Sequence, residues 1–135
     1  VSAIVDFLKA LAGICETKPL DQDMWQLDGN RITLYLDDFE QFHSPGGAVL
    51  IKGKGLKPPV LIVRADDGRF YSFANTCTHM GRKLDPTPGK RVLRCCSVNH
   101  STFDYEGNRL SGPAKKPLKL YKTELKDDEI VVTRT

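Results

Sequence analysis

Four side chains in two short clusters have the right types and spacing to hold metal. Cys77-Thr-His79-Met-Gly81-Arg-Lys-Leu84 and Cys96-Ser-Val-Asn-His100-Ser-Thr-Phe-Asp104 each offer one thiolate and one imidazole. Sixteen residues separate His79 from Cys96. Thiolate is a soft ligand for zinc or for iron–sulfur clusters, and imidazole suits both metals. Two cysteines and two histidines form a structural zinc set. They also form the set that binds a [2Fe–2S] cluster with both cysteines on one iron and both histidines on the other. The second case has a distinct electronic consequence. Two ferric ions, two sulfides and two thiolates sum to zero charge, whereas four thiolates would leave the oxidised cluster negative. A less negative cluster takes up an electron more readily, which puts its potential in the range of roughly −150 to +300 mV. Histidine ligands also titrate, so the potential is expected to vary with pH where they lose protons.

The elements that must position these clusters are mostly strands. Met24–Leu27 and Arg31–Leu36 flank Asp28-Gly-Asn30, a strong hairpin signal. Ala48–Lys52 and Pro59–Arg64 are two more apolar runs, and the second is followed through Asp66-Asp-Gly68 by Arg69–Phe73. Lys119–Leu125 and Glu129–Thr133 turn at Lys126-Asp-Asp128. Between them, residues 75–114 are rich in Gly, Pro, Cys and His. Both clusters fall there, each just after a strand, at Phe70–Ala74 and at Arg91–Cys95. These patterns predict an all-β antiparallel sandwich or barrel, a single domain over 1–135, with an inserted loop-rich subdomain over 75–114 that binds the metal centre. Ahead of it, Ile4, Phe7, Leu8, Leu11 and Ile14 recur at helical spacing, which predicts an amphipathic helix over 1–18 that stops at Pro19.

The residues Cys77-Thr-His79-Met-Gly81-x-x-Leu84, Ser101-Thr-Phe-Asp104 and the proline at Gly112-Pro-Ala114 resemble the Rieske iron–sulfur proteins. The first box fits that family's C-x-H-x-G-x-x-L pattern throughout, and the likeness runs from about Ala48 to Thr133. It implies a [2Fe–2S] cluster with Cys77 and Cys96 on the inner iron and His79 and His100 on the outer one. Ser101 is then a hydrogen-bond donor to the cluster, and Gly81 and Pro113 shape and shield the pocket. The second box departs from the pattern. The family reads C-x-x-H-G-S-x-F/Y, and a match on Ser101–Phe103 puts its histidine on Asn99 and its glycine on His100. Asparagine is a poor ligand for this iron, so His100 is the expected ligand, on a rearranged loop. Members from quinol-oxidising membrane complexes tie the two loops with a disulfide, at positions that are Arg82 and Val98 here. They also use a tyrosine hydroxyl where this chain has Phe103. The resemblance therefore leans toward the soluble ferredoxin-like branch.

Composition narrows the partners. The chain has 135 residues, 40% hydrophobic and 27% charged, with a net charge of +3. That charge is too small to argue for nucleic-acid binding, and no Lys/Arg block is interleaved with aromatics. The N-terminal apolar stretch is interrupted by Asp6 and Lys9, is too short to span a bilayer and lacks a basic lead, so neither a membrane anchor nor a signal peptide is expected. Cys15 and Cys95 remain as thiols outside the ligand set, which fits a reducing, cytoplasmic setting. Strand alternation puts Cys95 on the buried face with Leu93. His43 reads as a loop residue. The expected role is electron transfer between partner proteins, a reductase and an acceptor, with no bond-changing chemistry and no catalytic residues. Lys115, Lys116, Lys119, Lys122, Arg82 and Lys83 would steer an acidic partner if they ring the centre. The alternative is a clusterless or zinc-binding module of the same fold that serves as a structural or interaction subunit of a redox complex. A catalytic oxygenase is not expected, because the chain has no room for a second iron domain.

Overall fold

The computed structural model describes residues 17, 19–75, 84–86, 91–95, 101–112 and 117–134. The helix expected over 1–18 therefore lies outside the described residues, apart from Thr17.

Eleven strands are described among these residues: β1 Gln26–Asp28, β2 Arg31–Tyr35, β3 Ala48–Ile51, β4 Val60–Arg64, β5 Phe70–Ala74, β6 Leu84–Pro86, β7 Val92–Cys95, β8 Thr102–Asp104, β9 Arg109–Ser111, β10 Leu120–Lys126 and β11 Glu129–Thr133. They form a seven-stranded body in the order β1-β2-β11-β10-β5-β4-β3 and a four-stranded sheet in the order β6-β7-β8-β9. The all-β antiparallel expectation agrees with this architecture. Three hairpins sit where the turn signals put them. Gly29 supplies a φ of +60° between β1 and β2, and Asp127, a short side chain that tolerates the left-handed region, takes φ 57° between β10 and β11.

The body curls because β10 serves two neighbours. Leu120 and Tyr121 pair with β5, while Lys122–Lys126 pair with β11. The two halves fold onto each other around one apolar cluster, to which β2 gives Ile32 and Leu34, β11 gives Ile130 and Val132, β3 gives Val49 and Ile51, and β4 gives Val60 and Ile62. The remaining residues of β4 point the other way. Leu61 and Val63 enter a second cluster with Phe73, Leu84, Leu93, Cys95, Phe103, Tyr105 and Leu118. An unbroken Val-Leu-Ile-Val run is what a strand covered on both faces requires. This second cluster is the seam on which the four-stranded sheet sits.

The expected loop-rich subdomain over 75–114 is described only in part. Its described parts include β6 to β9, all of three or four residues. Strands this short carry too few apolar positions to register as periodic, and they hold together by packing on the body. His43, expected in a loop, is the exposed last residue of a 3-10 turn, Glu40–His43.

Polar ties pin the smaller sheet to the body. The Arg91 guanidinium, at the start of β7, pairs with Asp66 and lies 3.7 Å from Asp67, both in the β4–β5 turn. It also stands over the rings of Tyr71 at 5.8 Å and Tyr105 at 5.4 Å. The hydrogen bond that Arg91 donates to Asp66, then the one it donates to the Tyr71 hydroxyl, holds the Arg91 pKa above its ordinary value. Burial pushes the Tyr105 phenol up, and the Arg91 charge partly offsets the rise. The β8–β9 turn docks through Gly107, whose carbonyl accepts from Leu118 N–H at 2.8 Å.

Candidate metal centre

The four candidate ligands Cys77, His79, Cys96 and His100 lie outside the described residues, as do Gly81 and Pro113. The stems of the segments that carry them are described. β5 leads through Asn75 to segment 76–83, which holds Cys77 and His79. β6 begins at its far side, at Leu84. Leu84 is the cross-strand partner of Cys95, after which comes segment 96–100 with Cys96 and His100. Cys95 N–H then donates to the carbonyl of Ser101 at 2.9 Å, where β8 starts. Antiparallel pairing puts the end of β9 here too, because Ser111 is the partner of Thr102. Segment 113–116, with Pro113, departs from there. All three segments thus leave from one end of the four-stranded sheet, and one row of hydrogen bonds links the stems of the two Cys/His clusters.

The side chains at this end fit a buried centre. Ser101 is fully buried at 0% exposure. Phe103 is also fully buried and belongs to the seam. Cys95 faces the seam with Leu93, whereas Arg94 between them is exposed, as the alternation predicts. Thr102 and Ser111 join hydroxyl to hydroxyl at 2.6 Å and zip β8 to β9 at the same end. The donor set of two thiolates and two imidazoles, carried on two segments with adjoining stems, matches what a [2Fe–2S] cluster with mixed ligation needs.

Two residues have roles that the sequence reading did not assign. Asp104 closes the second box in sequence but works at the opposite end of the sheet. Its carboxylate accepts from the N–H groups of Glu106 at 3.0 Å and Asn108 at 2.8 Å, which builds the β8–β9 turn. Asp followed closely by Gly107 and Asn108 is a turn signal that could have revealed this. Asn75 is buried, and its Oδ1 accepts from Leu84 N–H at 2.8 Å. An asparagine at a strand-to-loop junction, two residues before Cys77, was the available clue. Of the expected basic side chains, Lys119 and Lys122 are described. Both are exposed; the Lys119 ammonium is 5.7 Å from the Tyr121 ring centre, and that of Lys122 is 3.5 Å from the Glu124 carboxylate.

A family model described as Rieske [2Fe–2S] domain matches residues 12–122, most of the chain. The chain belongs to the Rieske family. Iron–sulfur subunit 2 of the cytochrome b6-f complex from Nostoc sp. is 34% identical over 90 residues, covering 65% of this chain and 49% of that subunit. The chain thus spans about half the length of the curated relatives it matches. Among solved structures, the ferredoxin of carbazole 1,9a-dioxygenase from Nocardioides aromaticivorans superposes with a TM-score of 0.61 at 21% identity, covering 76% of this chain and 95% of that one. The plasma membrane Rieske protein of Synechocystis gives 0.54 at 28% identity, covering 63% and 86%. The ferredoxin likeness establishes the shared fold. The family's cofactor is a [2Fe–2S] cluster, and its members carry electrons. No helix among the described residues is long and apolar enough to cross a membrane.

Proposed function

We propose that this Rieske chain is a one-electron carrier that passes electrons from a reductase to an acceptor and makes or breaks no substrate bond. In this reading Cys77 and Cys96 hold the inner iron of the cluster, and His79 and His100 hold the outer iron nearest solvent. Ser101 donates a hydrogen bond toward a cluster sulfur, and Gly81 and Pro113 shape the surrounding pocket. The bound cluster supplies a one-electron couple. The protein's own part is to keep the ligand segments together and to exclude water from the thiolates. The observation that carries the proposal is the row Asn75–Leu84–Cys95–Ser101, which joins the stems of both Cys/His segments at one end of a small sheet. Residues 1–135 act as one domain, with the N-terminal helix packed on its body or on a partner.

Arg82 and Val98, in place of the cysteines that tie the two loops in membrane-complex members, favour a ferredoxin-like carrier, and the spare thiols of Cys15 and Cys95 favour a reducing, cytoplasmic setting. The lysines near the proline segment and in the first box favour an acidic partner, although Lys122 is partly neutralised by Glu124. An association rate that does not change with ionic strength would count against an acidic partner. The spacing Cys96-x-x-x-His100, with Asn99 in the family's ligand position, favours a second reading. In it the fold has lost its cluster or binds zinc, and it serves as an interaction subunit.

The test is a visible and electron paramagnetic resonance spectrum of purified protein, with iron, zinc and acid-labile sulfide counted on the same sample. Two irons and two sulfides with a mixed-ligand signature are expected. His100→Ala should then abolish the signature, whereas Asn99→Ala should leave it in place. Protein that stays colourless after anaerobic reconstitution would sink the electron-carrier reading in favour of the second.

A further inference from the structure

Asn75 is the point at which the chain passes from the body into the metal-binding end, and it is tied on both sides. Only 2% of its surface is exposed. Its backbone N–H donates to the carbonyl of Pro59, next to β4, at 2.7 Å. Its side-chain Oδ1 accepts from Leu84 N–H at 2.8 Å in a buried hydrogen bond. The eight residues of segment 76–83 therefore begin and end at positions joined by a single side chain. A free eight-residue segment can close many end-to-end spans at little cost in entropy. The Asn75 amide selects one of them. The selection reaches the second segment as well, because Leu84 pairs with Cys95 and Cys95 bonds Ser101. Any slip of Leu84 relative to Asn75 would shift the stem of the Cys77/His79 segment against that of the Cys96/His100 segment.

We propose that Asn75 is a positioning residue for the metal centre: its side-chain carbonyl oxygen, by holding the Leu84 amide, fixes the spacing between the two segments that carry the ligands. The proposal rests on the electron-carrier reading given above. It predicts an effect on the centre itself and not merely on stability, because the bond spans the stems of one ligand segment and not the interior of a core. A carboxylate at this position has the same reach and can accept the same hydrogen bond, so Asn75→Asp should keep the geometry and alter only the local charge.

The experiment compares the full chain with N75A, N75D and R91A, the last cutting a tie of the same sheet at its far end. N75A should lose cluster to a chelator about tenfold faster than wild type, the scale of one buried hydrogen bond, with broadened and shifted resonance lines in the reduced state. N75D should restore retention and line shape to near wild type, with a lower midpoint potential from its added charge. R91A should leave the line shape unchanged. If N75A does not accumulate, Asn75→Gln takes its place, since the displaced amide should misplace the stem in the same sense. Wild-type retention and line shape in N75A (or in N75Q standing for it) would overturn the proposal, as would N75D behaving as badly as N75A. Should the wild-type chain hold no cluster at all, the electron-carrier reading fails on its own. The tie is then tested by hydrogen exchange at the Leu84 amide. Exchange about tenfold faster in N75A and restored in N75D supports it, and unchanged exchange overturns it.

Discussion

In the body, β4 sends Val60 and Ile62 into one core and Leu61 and Val63 into another. In the four-stranded sheet, β7 buries Leu93 and Cys95 but leaves Arg94 exposed, and β9 is exposed along its whole length. The same antiparallel pairing thus produces a strand packed on two sides in one place and a sheet covered on one side in the other. The body could stand on its own apolar cluster, whereas the smaller sheet draws most of its cohesion from the seam it shares with the body. Such a sheet is weak in itself, which suits a platform whose free end carries metal-binding segments. What it lacks in packing it recovers through discrete polar ties at its ends: Asn75 to Leu84, Thr17 N–H to the Asp85 carboxylate at 3.0 Å, and Arg91 to the β4–β5 turn.

The largest test of that contrast uses one core substitution in each cluster. Ile62→Ala, in the body's own core, and Leu93→Ala, in the seam, both remove fully buried side chains and should each cost about 2–5 kcal/mol of stability. The contrast lies in where the loss shows. Ile62→Ala should speed hydrogen exchange across the whole chain. Leu93→Ala should open β6, β7 and β8 at lower free energy while amides of β2 and β11 keep much of their protection. Equal loosening of β2 and β7 in Leu93→Ala would mean that the two regions form a single cooperative unit.

A smaller effect separates steric clash from backbone strain. Gly107 has φ +87°, and a Cβ there would come within 2.5 Å of Leu120 Cδ1 and 2.7 Å of Leu118 O. Gly29 has φ +60° with nothing within 4 Å of that position. Gly29→Ala should cost roughly 1 kcal/mol from the left-handed backbone alone. Gly107→Ala adds a clash with the body and should cost about 2–3 kcal/mol, concentrated in β8 and β9. Urea denaturation gives the totals, and exchange gives the location. Equal costs at the two turns would remove Gly107 as a docking point between the regions.

The two regions also differ in how much of them the sequence disclosed. The hairpins β1–β2, β4–β5 and β10–β11 were readable because each pairs neighbours in the chain across a short Gly or Asp turn, so pattern and punctuation coincide. The pairings of β2 with β11 and of β10 with β5 join strands far apart in sequence, and nothing local specifies them. In the smaller sheet β6, β8 and β9 have three residues each, below the length at which alternation registers. The ligand types were legible because Cys and His at such spacing are chemically distinctive. The stems were not: Asn75 looks like any loop asparagine until Leu84 is seen beside it. Asp104 reads as part of the second box until its carboxylate is found capping a turn.

The smallest expected effect comes from titration, with one tyrosine in each region. Burial raises the pKa of Tyr105, in the seam, and of Tyr121, at the edge of the body core; Arg91 and Arg134 respectively work against the rise. For a group whose folded pKa lies above its unfolded value, stability is fully present below the unfolded value, about 10 for tyrosine. It is lost as pH rises through the folded value, because the unfolded chain then gives up its proton more readily. Stability should therefore be level with respect to these groups below pH about 10 and should fall above it. Tyr105→Phe and Tyr121→Phe should each flatten part of that fall. Arg91→Ala acts on Tyr105 only: it removes the charge that restrains the shift, so its alkaline loss should be steeper than in wild type. At neutral pH the same variant should be only slightly destabilised, and high salt should erase the difference, since the Arg91 pairs with Asp66 and Asp67 are exposed. Unequal exchange in the two regions as the pH rises would show that the seam opens before the body does. A uniform response would show that the Arg91 tie adds nothing that the shared apolar seam does not already provide.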